Sequence, residues 1–252
     1  MPTVLTIAGS DPSGGAGIQA DLRTFEAFNI QGLSAITAVT AQTENVFFSV
    51  NPVAADILTQ QLSSAASQSN IDVVKIGMIG SGGNVRAIIL FLNSTRTEHI
   101  IIDPVFTSSS GMPLFEPHAM KAFKDELLPL ATVITPNLDE ASILSGRRIW
   151  NLGTMKEAAR EIYDETWQFR KNKARPLAIL VKGGHLPGDS IDVLYDGADF
   201  KEFHAKRINA KRHGTGCVLS SAIAANLAKG VTLQSAIKTA KEFVENYISS
   251  FL

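Results

Sequence analysis

The sequence predicts an α/β fold with a central, mostly parallel sheet that is flanked by helices on both faces and carries a small antiparallel hairpin. Three observations lead to this class. Short apolar runs alternate with amphipathic stretches along most of the 252 residues, which favours parallel strands joined by helices. The runs are too short to be membrane helices. Near the end of the chain, the strand-like segments 191–196 and 199–206 flank Asp196-Gly197 and predict the hairpin.

The predicted elements follow from apolar periodicity, taken in chain order. Residues 3–9 form a β-branched apolar run that ends at a glycine and predict a buried strand. Apolar residues then recur at helical spacing from Ile18 to Phe25 and predict a helix over 15–29. The further predicted strands are 33–40, 72–76, 99–103, 131–134 and 177–182; the further helices lie near 54–68, 81–93, 117–127, 138–145 and 154–170, and two more close the chain.

The composition excludes several classes of function. A formal net charge of −1 gives no overall positive field for nucleic acid or anionic lipid, so neither partner is expected. The single cysteine excludes an internal disulfide and suits a reducing compartment. No basic leader precedes the first strand, so a cytoplasmic location is expected. Because no linker or internal repeat is visible, one domain over residues 1–252 is predicted.

Functional side chains follow the predicted strands at the points where those strands end. Ligands of open α/β sheets bind beyond the carboxyl ends of the strands. We therefore expect one long cleft at this edge. The residues that would line it are Asp11, Gln42, Met78, Asp103, Asn137 and Lys182.

The stretch His213-Gly214-Thr215-Gly216-Cys217 leads directly into a small-residue helix. Its glycines let the backbone approach a ligand closely, and its amides lie at a helix N-terminus, where partial positive charge gathers. The only cysteine of the chain is in this turn. We expect its thiol to lose a proton more easily than a free thiol. An anion site beside such a side chain indicates group transfer involving a phosphate.

A second glycine pattern, the segment 15–20, matches the dinucleotide-binding fingerprint, and Glu44 follows at a tolerable distance. The preceding loop, Ser10 to Gly14, is longer than the tight turn that this fingerprint needs. A dinucleotide site would also leave Lys182 and the 213–217 turn without a role. An oxidoreductase is therefore disfavoured.

Ordered motifs extend along nearly the whole chain, which makes them more specific than any one glycine loop. They are Ala8–Asp21, Thr37–Gln42, Lys75–Met78, Asp103–Val105, Thr135–Glu140, Val181–His185 and His213–Cys217. In this order they resemble the hydroxymethylpyrimidine/phosphomethylpyrimidine kinases of thiamine biosynthesis, in the ribokinase-like superfamily. The resemblance implies an ATP- and Mg²⁺-dependent kinase of 4-amino-5-hydroxymethyl-2-methylpyrimidine and of its monophosphate. It also implies a homodimer, for which the apolar strand near 33–40 is a candidate contact.

By this resemblance, Gly214, Thr215, Gly216 and Cys217 hold the transferring phosphoryl group, with backbone amides that stabilise its charge. Cys217 either takes the proton of the substrate hydroxyl or completes the anion hole; many members of the superfamily have an aspartate there. Lys182 is expected to contact the nucleotide phosphates. The alternative for Lys182 is an ordinary surface lysine.

The resemblance also implies a magnesium site near Asn137 and Glu140, with Asp103 adding negative charge. The spacing of Asn137 and Glu140 fits a helix capping box equally well, and both roles are compatible. Asp103 has the alternative of a turn aspartate. Asn137, Thr215, Gly216 and Lys182 together form the expected nucleotide site.

Gln42 is expected to recognise the pyrimidine, because its amide both donates and accepts hydrogen bonds. Met78 and Val105 would form apolar walls around the ring, or else ordinary core. Gly9 and Asp21 complete the expected substrate site, with Asp21 either touching the substrate or ordering the loop.

Two other functions remain open. Related chains with the same glycine-cysteine turn phosphorylate the hydroxymethyl arm of pyridoxal, so a pyridoxal kinase is the first alternative. The second is a non-catalytic pyrimidine-binding module of the same fold. The segment 107–113 resembles a mobile loop that closes over substrate, but it carries Met112 where related chains often have a polar or acidic residue.

Overall fold

The structure, a computed structural model, describes residues 1–43, 46–108, 110–184, 186, 189–208 and 213–249. Glu44 and His185, which belong to two of the sequence motifs, lie outside the described residues. The strands are β1 (Thr3–Ser10), β2 (Gln31–Gln42), β3 (Phe47–Pro52), β4 (Val73–Ile76), β5 (His99–Ile102), β6 (Val133–Ile134), β7 (Ala178–Val181), β8 (Ser190–Tyr195) and β9 (Phe200–Ala205). The α-helices are α1 (Gly17–Ala27), α2 (Ala55–Gln68), α3 (Gly82–Ser94), α4 (Met120–Ala122), α5 (Leu138–Ser145), α6 (Leu152–Phe169), α7 (Thr215–Ala228) and α8 (Leu233–Ser249).

The strands that the structure describes form one sheet of nine, in the order β3-β2-β1-β4-β5-β6-β7-β8-β9. Strands β2, β1, β4, β5, β6 and β7 pair in parallel, whereas β3, β8 and β9 pair antiparallel to their neighbours. The predicted α/β class, with its mostly parallel sheet and its hairpin, is confirmed. Because the strand order reverses at β1, which lies between β2 and β4, the carboxyl ends of β1 and β4 border the crevice where such sheets bind ligands.

Helices cover both faces of the sheet, since successive strand residues point to opposite sides. Leu5 and Ile7 of β1 pack in the core beneath α2, α3, α5 and α6. Val4, on the opposite face of the same strand, packs with residues of α1, α7 and α8. The second face also receives Thr6 and Lys75, which are polar residues in otherwise apolar strands.

Two elements differ from the sequence predictions. Strand β3 was not predicted, because it is an edge strand with most side chains partly or fully exposed, so it lacks the apolar alternation of a half-buried strand. The helix predicted over 117–127 is instead a series of short turns, 3₁₀ at Pro117–Ala119, α at Met120–Ala122, π at Phe123–Leu127 and 3₁₀ at Leu128–Leu130. Pro129 lacks a backbone N–H and its ring crowds the preceding turn, so a regular α-helix cannot continue through it.

Among the residues described, no helix combines the length and the apolar character needed to cross a membrane.

Candidate active site

Lys182 and the turn before α7 meet at the carboxyl edge of the sheet, as the cleft prediction requires. The Lys182 Nζ atom lies 2.5 Å from Asp103 Oδ1. A Cβ added to Gly216 would lie 3.2 Å from the same Nζ atom, which brings the ammonium against the first turn of α7. A cation therefore adjoins a helix N-terminus, and both favour a bound anion.

The turn at Gly214 depends on glycine. Gly214 has a φ angle of 83° and is the N-cap residue of α7. A Cβ at this position would lie 1.9 Å from the carbonyl oxygen of Gly15, so the turn packs directly on the loop that follows β1. Since Gly214 has no side chain to cap the helix, the first amides of α7 are left for another acceptor.

Asp11 orders the loop after β1 and ties it to the same turn. Its carboxylate, 2% exposed as a residue, accepts hydrogen bonds from the Ser13 and Ala16 N–H groups at 2.9 and 2.8 Å. The Nε2 atom of His213 lies 3.4 Å from Asp11 Oδ2. Burial alone would raise the pKa of Asp11, but the hydrogen bonds from Ser13 and Ala16 outweigh it and lower that pKa. Asp11 is thus a carboxylate that holds two loops together, with His213 as its neighbour from the second loop.

The prediction of an easily ionised Cys217 is wrong. Burial raises the pKa of the thiol to about 11, and the attraction of Lys75 and Lys182 lowers it too little to compensate, since Asp103 and Asp21 act against them. The position at a helix N-terminus predicted a thiolate, but the loss of solvent around the sulfur has the larger effect on the pKa and favours the thiol. Cys217 is a neutral thiol at neutral pH.

Lys182 is not a surface lysine. Its side chain is 12% exposed and that of Asp103 is 2% exposed. Burial alone would lower the pKa of Lys182, but the carboxylates of Asp103 and Glu140 outweigh it and raise that pKa. Asp103 also accepts hydrogen bonds from the hydroxyls of Thr135 and Ser220, both at 3.1 Å. The Asp103 carboxylate thereby holds in place the side chain of Lys182, which follows the last residue of β7 at the carboxyl edge of the sheet.

Asn137 and Glu140 form the capping box that their spacing allowed. Asn137 Oδ1 accepts the Glu140 N–H at 2.9 Å, and Glu140 Oε2 accepts the Asn137 N–H at 2.7 Å. Burial raises the pKa of Glu140 to about 7, although the nearby Lys182 ammonium lowers it. The box lies beside Lys182, because Asn137 and Lys182 also pair as an isolated β-bridge.

An apolar wall lies on the other side of the crevice. Met78 packs with Ala38 and Leu114, and Val105 lies against this cluster. A Cβ on Gly9 would lie 2.2 Å from Met78 Cε, so only glycine lets Met78 reach across the end of β1. Gln42 is half-buried at the end of β2. Gly9, Met78 and Val105 therefore come together as predicted.

The comparison with known protein families agrees with this geometry. A model of the phosphomethylpyrimidine kinase family matches residues 11–252. This chain belongs to that family.

Relatives within and beside the family extend the comparison. A hydroxymethylpyrimidine/phosphomethylpyrimidine kinase of Aquifex aeolicus is 40% identical over 248 residues, which are 98% of this chain and 94% of that protein. A chloroplastic thiamine biosynthetic bifunctional enzyme of Arabidopsis thaliana is 42% identical over 98% of this chain, which spans about half of that protein, 46%. The solved structure of the Staphylococcus aureus pyridoxal kinase in complex with pyridoxal is 34% identical, with a TM-score of 0.87 over 99% of this chain and 88% of that one.

In this member of the phosphomethylpyrimidine kinase family, Asp21 lies in the interior. It is 0% exposed, and both of its oxygens accept hydrogen bonds from Lys75 Nζ at 2.9 Å. The hydroxyls of Ser221 and Thr6 donate to the same carboxylate at 2.6 and 2.5 Å. The sequence left two roles open for Asp21, contact with the substrate and ordering of the loop. Its full burial favours the structural role.

Sequence reasoning missed the partners of the charged site residues. Ser220, Ser221 and Thr135 were not singled out, although two adjacent serines in an apolar helix indicate buried acceptors nearby. The buried ion pair of Lys75 was also missed, since this residue enters the sequence prediction only as part of the motif Lys75–Met78. A lysine inside a four-residue apolar strand is itself a signal of a buried counter-charge.

Proposed function

We propose that this chain is a kinase that uses ATP to phosphorylate 4-amino-5-hydroxymethyl-2-methylpyrimidine and then its monophosphate. The observation that carries the proposal is the meeting of Lys182 with the glycine turn of α7, across the crevice from the apolar wall of Gly9, Met78 and Val105. The first part suits a nucleotide's terminal phosphate. The second suits a flat, methylated ring.

The proposed chemistry is phosphoryl transfer by positioning and charge stabilisation. The amides of Thr215, Gly216 and Cys217 would donate to the oxygens of the transferring group, and Lys182 would add a fixed positive charge. Asn137 lies beside Lys182 and completes the nucleotide side. The substrate hydroxyl attacks the terminal phosphorus, the bond to the leaving ADP oxygen breaks, and the hydroxyl proton passes to an oxygen of the transferred phosphoryl group.

Cys217 fits the anion hole better than it fits a pre-ionised base. Its pKa of about 11 leaves the thiol protonated before reaction, so it cannot start as a thiolate at neutral pH. Because phosphoryl transfer passes through a loose transition state, a strong base is not required. We therefore assign Cys217 to contact the reacting oxygens as a neutral thiol of the anion hole.

Magnesium is a proposed cofactor of the site. The described residues contain no cluster of three or more His, Cys, Asp or Glu side chains that could hold a metal alone. Glu140 and Asp103 nevertheless lie close enough for Asp103 to raise the pKa of Glu140. Two carboxylates, completed by waters and phosphates, match the preference of Mg²⁺, which would neutralise charge on the nucleotide phosphates. Asp103 and Glu140 are the residues that would hold it, with Asn137 beside them.

The segment after β5 is the proposed cover of the substrate. Ser109 of this segment lies outside the described residues, but Thr107 and Pro113 pair with each other and the Ser108 N–H donates to the Met112 carbonyl at 2.8 Å. The side chain of Met112 is exposed. Such a loop would exclude water that competes with the hydroxyl.

Pyridoxal is the alternative substrate, favoured by the likeness to the solved pyridoxal kinase structure. A coupled assay of ATP turnover against a panel of pyrimidine and pyridine alcohols tests both. The proposal expects a higher kcat/KM for the aminopyrimidine alcohol than for pyridoxal. A clear preference for pyridoxal would overturn the substrate, and a bound pyrimidine without ATP consumption would favour a binding module instead.

Replacing Cys217 with alanine is expected to lower kcat by at least about tenfold, because a group that contacts the reacting oxygens is lost. The KM for the pyrimidine should change little. Steady-state kinetics measure both constants, and Cys217→Ser is the matched control, because it places a hydroxyl where the thiol was. Turnover of Cys217→Ala equal to that of the wild type would remove Cys217 from the reaction.

Replacing Gln42 with alanine is expected to raise the KM for the pyrimidine by about tenfold with a smaller change in kcat, because hydrogen bonds to the ring are lost. Gln42→Glu is the control, since it keeps an acceptor oxygen but replaces the amide donor with a second acceptor. Isothermal titration with the pyrimidine alone gives the same comparison without turnover. An unchanged affinity in Gln42→Ala would assign ring recognition to another residue.

Assembly and location are proposed on separate grounds. A homodimer through the β2–β3 edge is supported by the exposed side chains of Val39, Val46 and Phe48. A cytoplasmic setting is supported by the single, unpaired cysteine. One domain over residues 1–252 is proposed because the described strands share one sheet.

A further inference from the structure

A third buried ion pair lies next to the residue that follows Lys182. Lys241 Nζ of α8 is 2.6 Å from Asp192 Oδ2 of β8, and the two side chains are 9% and 5% exposed. The other carboxylate oxygen, Asp192 Oδ1, accepts the backbone N–H of Gly183 at 2.9 Å. Through this hydrogen bond the ion pair holds the backbone of Gly183, the residue that directly follows Lys182.

The backbone on both sides of Lys182 is fixed. The N–H of Lys182 donates to the Pro136 carbonyl at 2.8 Å, and the next N–H, of Gly183, donates to Asp192. Gly183 also has no free space, because an added Cβ would lie 2.0 Å from the Ile191 carbonyl oxygen. With both flanking amides held, the direction in which the Lys182 side chain leaves β7 is set.

Stability alone does not account for this arrangement. Buried ion pairs are often no more stabilising than apolar residues of similar volume, because desolvation offsets the attraction. What the Asp192 carboxylate supplies, and an apolar side chain cannot, is an acceptor fixed in place for the Gly183 amide. Lys241 balances the charge of that acceptor within the interior.

We propose that Asp192 is a positioning residue for nucleotide binding, acting through Gly183 on Lys182, and that Lys241 holds its carboxylate in place. The inference rests on the proposed function, because it takes Lys182 to be the residue that meets the nucleotide phosphates. It extends the site to α8 and β8, which contribute no side chain to the crevice in that proposal.

Asp192→Ala is expected to raise the KM for ATP by about tenfold, through loss of the Gly183 hydrogen bond and a shifted Lys182. The KM for the pyrimidine should stay within about twofold of the wild type. Asp192→Asn keeps an acceptor for Gly183 and should recover most of the ATP affinity. Steady-state kinetics with each substrate varied in turn measure these constants.

Arg170→Met is the matched control. Arg170 is 3% exposed and donates to the carbonyls of Arg175 and Pro176, just before the opposite end of β7. This variant removes a buried charge that holds the chain just before β7, without touching the carboxyl end of that strand. It should lower the free energy of unfolding while the KM for ATP stays unchanged.

Three outcomes would overturn the inference: an unchanged KM for ATP in Asp192→Ala, an equal rise in both KM values, or the same rise in Arg170→Met. If Asp192→Ala does not fold, Lys241→Met carries the test and must raise the KM for ATP selectively, whereas Asp192→Asn must not. Titration with a fluorescent ATP analogue separates this from the proposed function. A wild-type protein that phosphorylates no alcohol would refute that function, whereas weaker analogue binding by Asp192→Ala would still support the positioning role.

Discussion

Replacing Lys182 with methionine is expected to lower kcat/KM for ATP by about 10²–10³-fold, the effect of removing one preorganised charge from a developing anion. The ammonium lies against Gly216 in the first turn of α7, so methionine leaves the amides of that turn without their neighbouring cation. The same change leaves the Asp103 carboxylate without its cationic partner, and its negative charge then opposes the phosphates. Initial rates over a range of ATP concentrations measure the effect.

Lys182→Arg is the control, because it keeps the charge but not the compact ammonium. It should retain more activity than Lys182→Met. Lys182→Met combined with Asp103→Asn separates the two causes, since it removes the unpaired carboxylate as well. A kcat/KM for Lys182→Met within about threefold of the wild type would contradict a role for this cation in the transfer.

Replacing Lys75 with methionine is expected to lower the free energy of unfolding by about 3–5 kcal/mol, because it leaves the Asp21 carboxylate buried without its cationic partner. Both side chains are 0% exposed. Burial alone would lower the pKa of Lys75, but Asp21 raises it well above its usual value, so the pair is ionic in the folded protein. Urea denaturation of the variant and the wild type measures the difference.

Asp21→Asn in the Lys75→Met background should restore a large part of that loss, since the unpaired charge is removed and the hydroxyls of Ser221 and Thr6 keep an acceptor. Lys121→Met is the matched surface control. Lys121 pairs with Asp125 but its side chain is 87% exposed, so the expected loss is much smaller than for Lys75→Met. Equal losses for Lys75→Met and Lys121→Met would show that the buried pair contributes no more than a surface one.

The parallel core of the fold could be predicted because each of its strands is a short apolar run and most of its helices have one apolar face. The edge strand β3 could not be predicted, because neither of its faces is buried enough to require alternating apolar residues. The turn before α7 and the lysine after β7 could be found from sequence, since paired glycines before a helix and a charge at the end of an apolar strand both favour a ligand site at the sheet edge. The partner of Lys182 could not be predicted from sequence, because Asp103 is separated from it by 79 positions in the chain.

Cys217 illustrates a different limit. A helix N-terminus favours a thiolate, and the turn that forms it can be recognised in the sequence. The desolvation that outweighs this effect depends on how α7 packs against α1 and β4, which only the three-dimensional arrangement determines. The spacing of Asn137 and Glu140 was likewise compatible with two arrangements, a capping box and a metal site. The structure shows the capping box.

The hydrogen bond between Ser221 and Asp21 joins residues that are 200 positions apart. Its consequence lies in the timing of folding on the ribosome. At roughly 5–20 residues per second, Asp21 and Lys75 are synthesised on the order of ten seconds before α7. Until then the carboxylate has no hydroxyl from α7, and Gly15 has no turn to pack against. A nascent chain therefore cannot complete the packing around Asp21 and Gly15 until α7 is made, and such long-range closure also favours slow refolding.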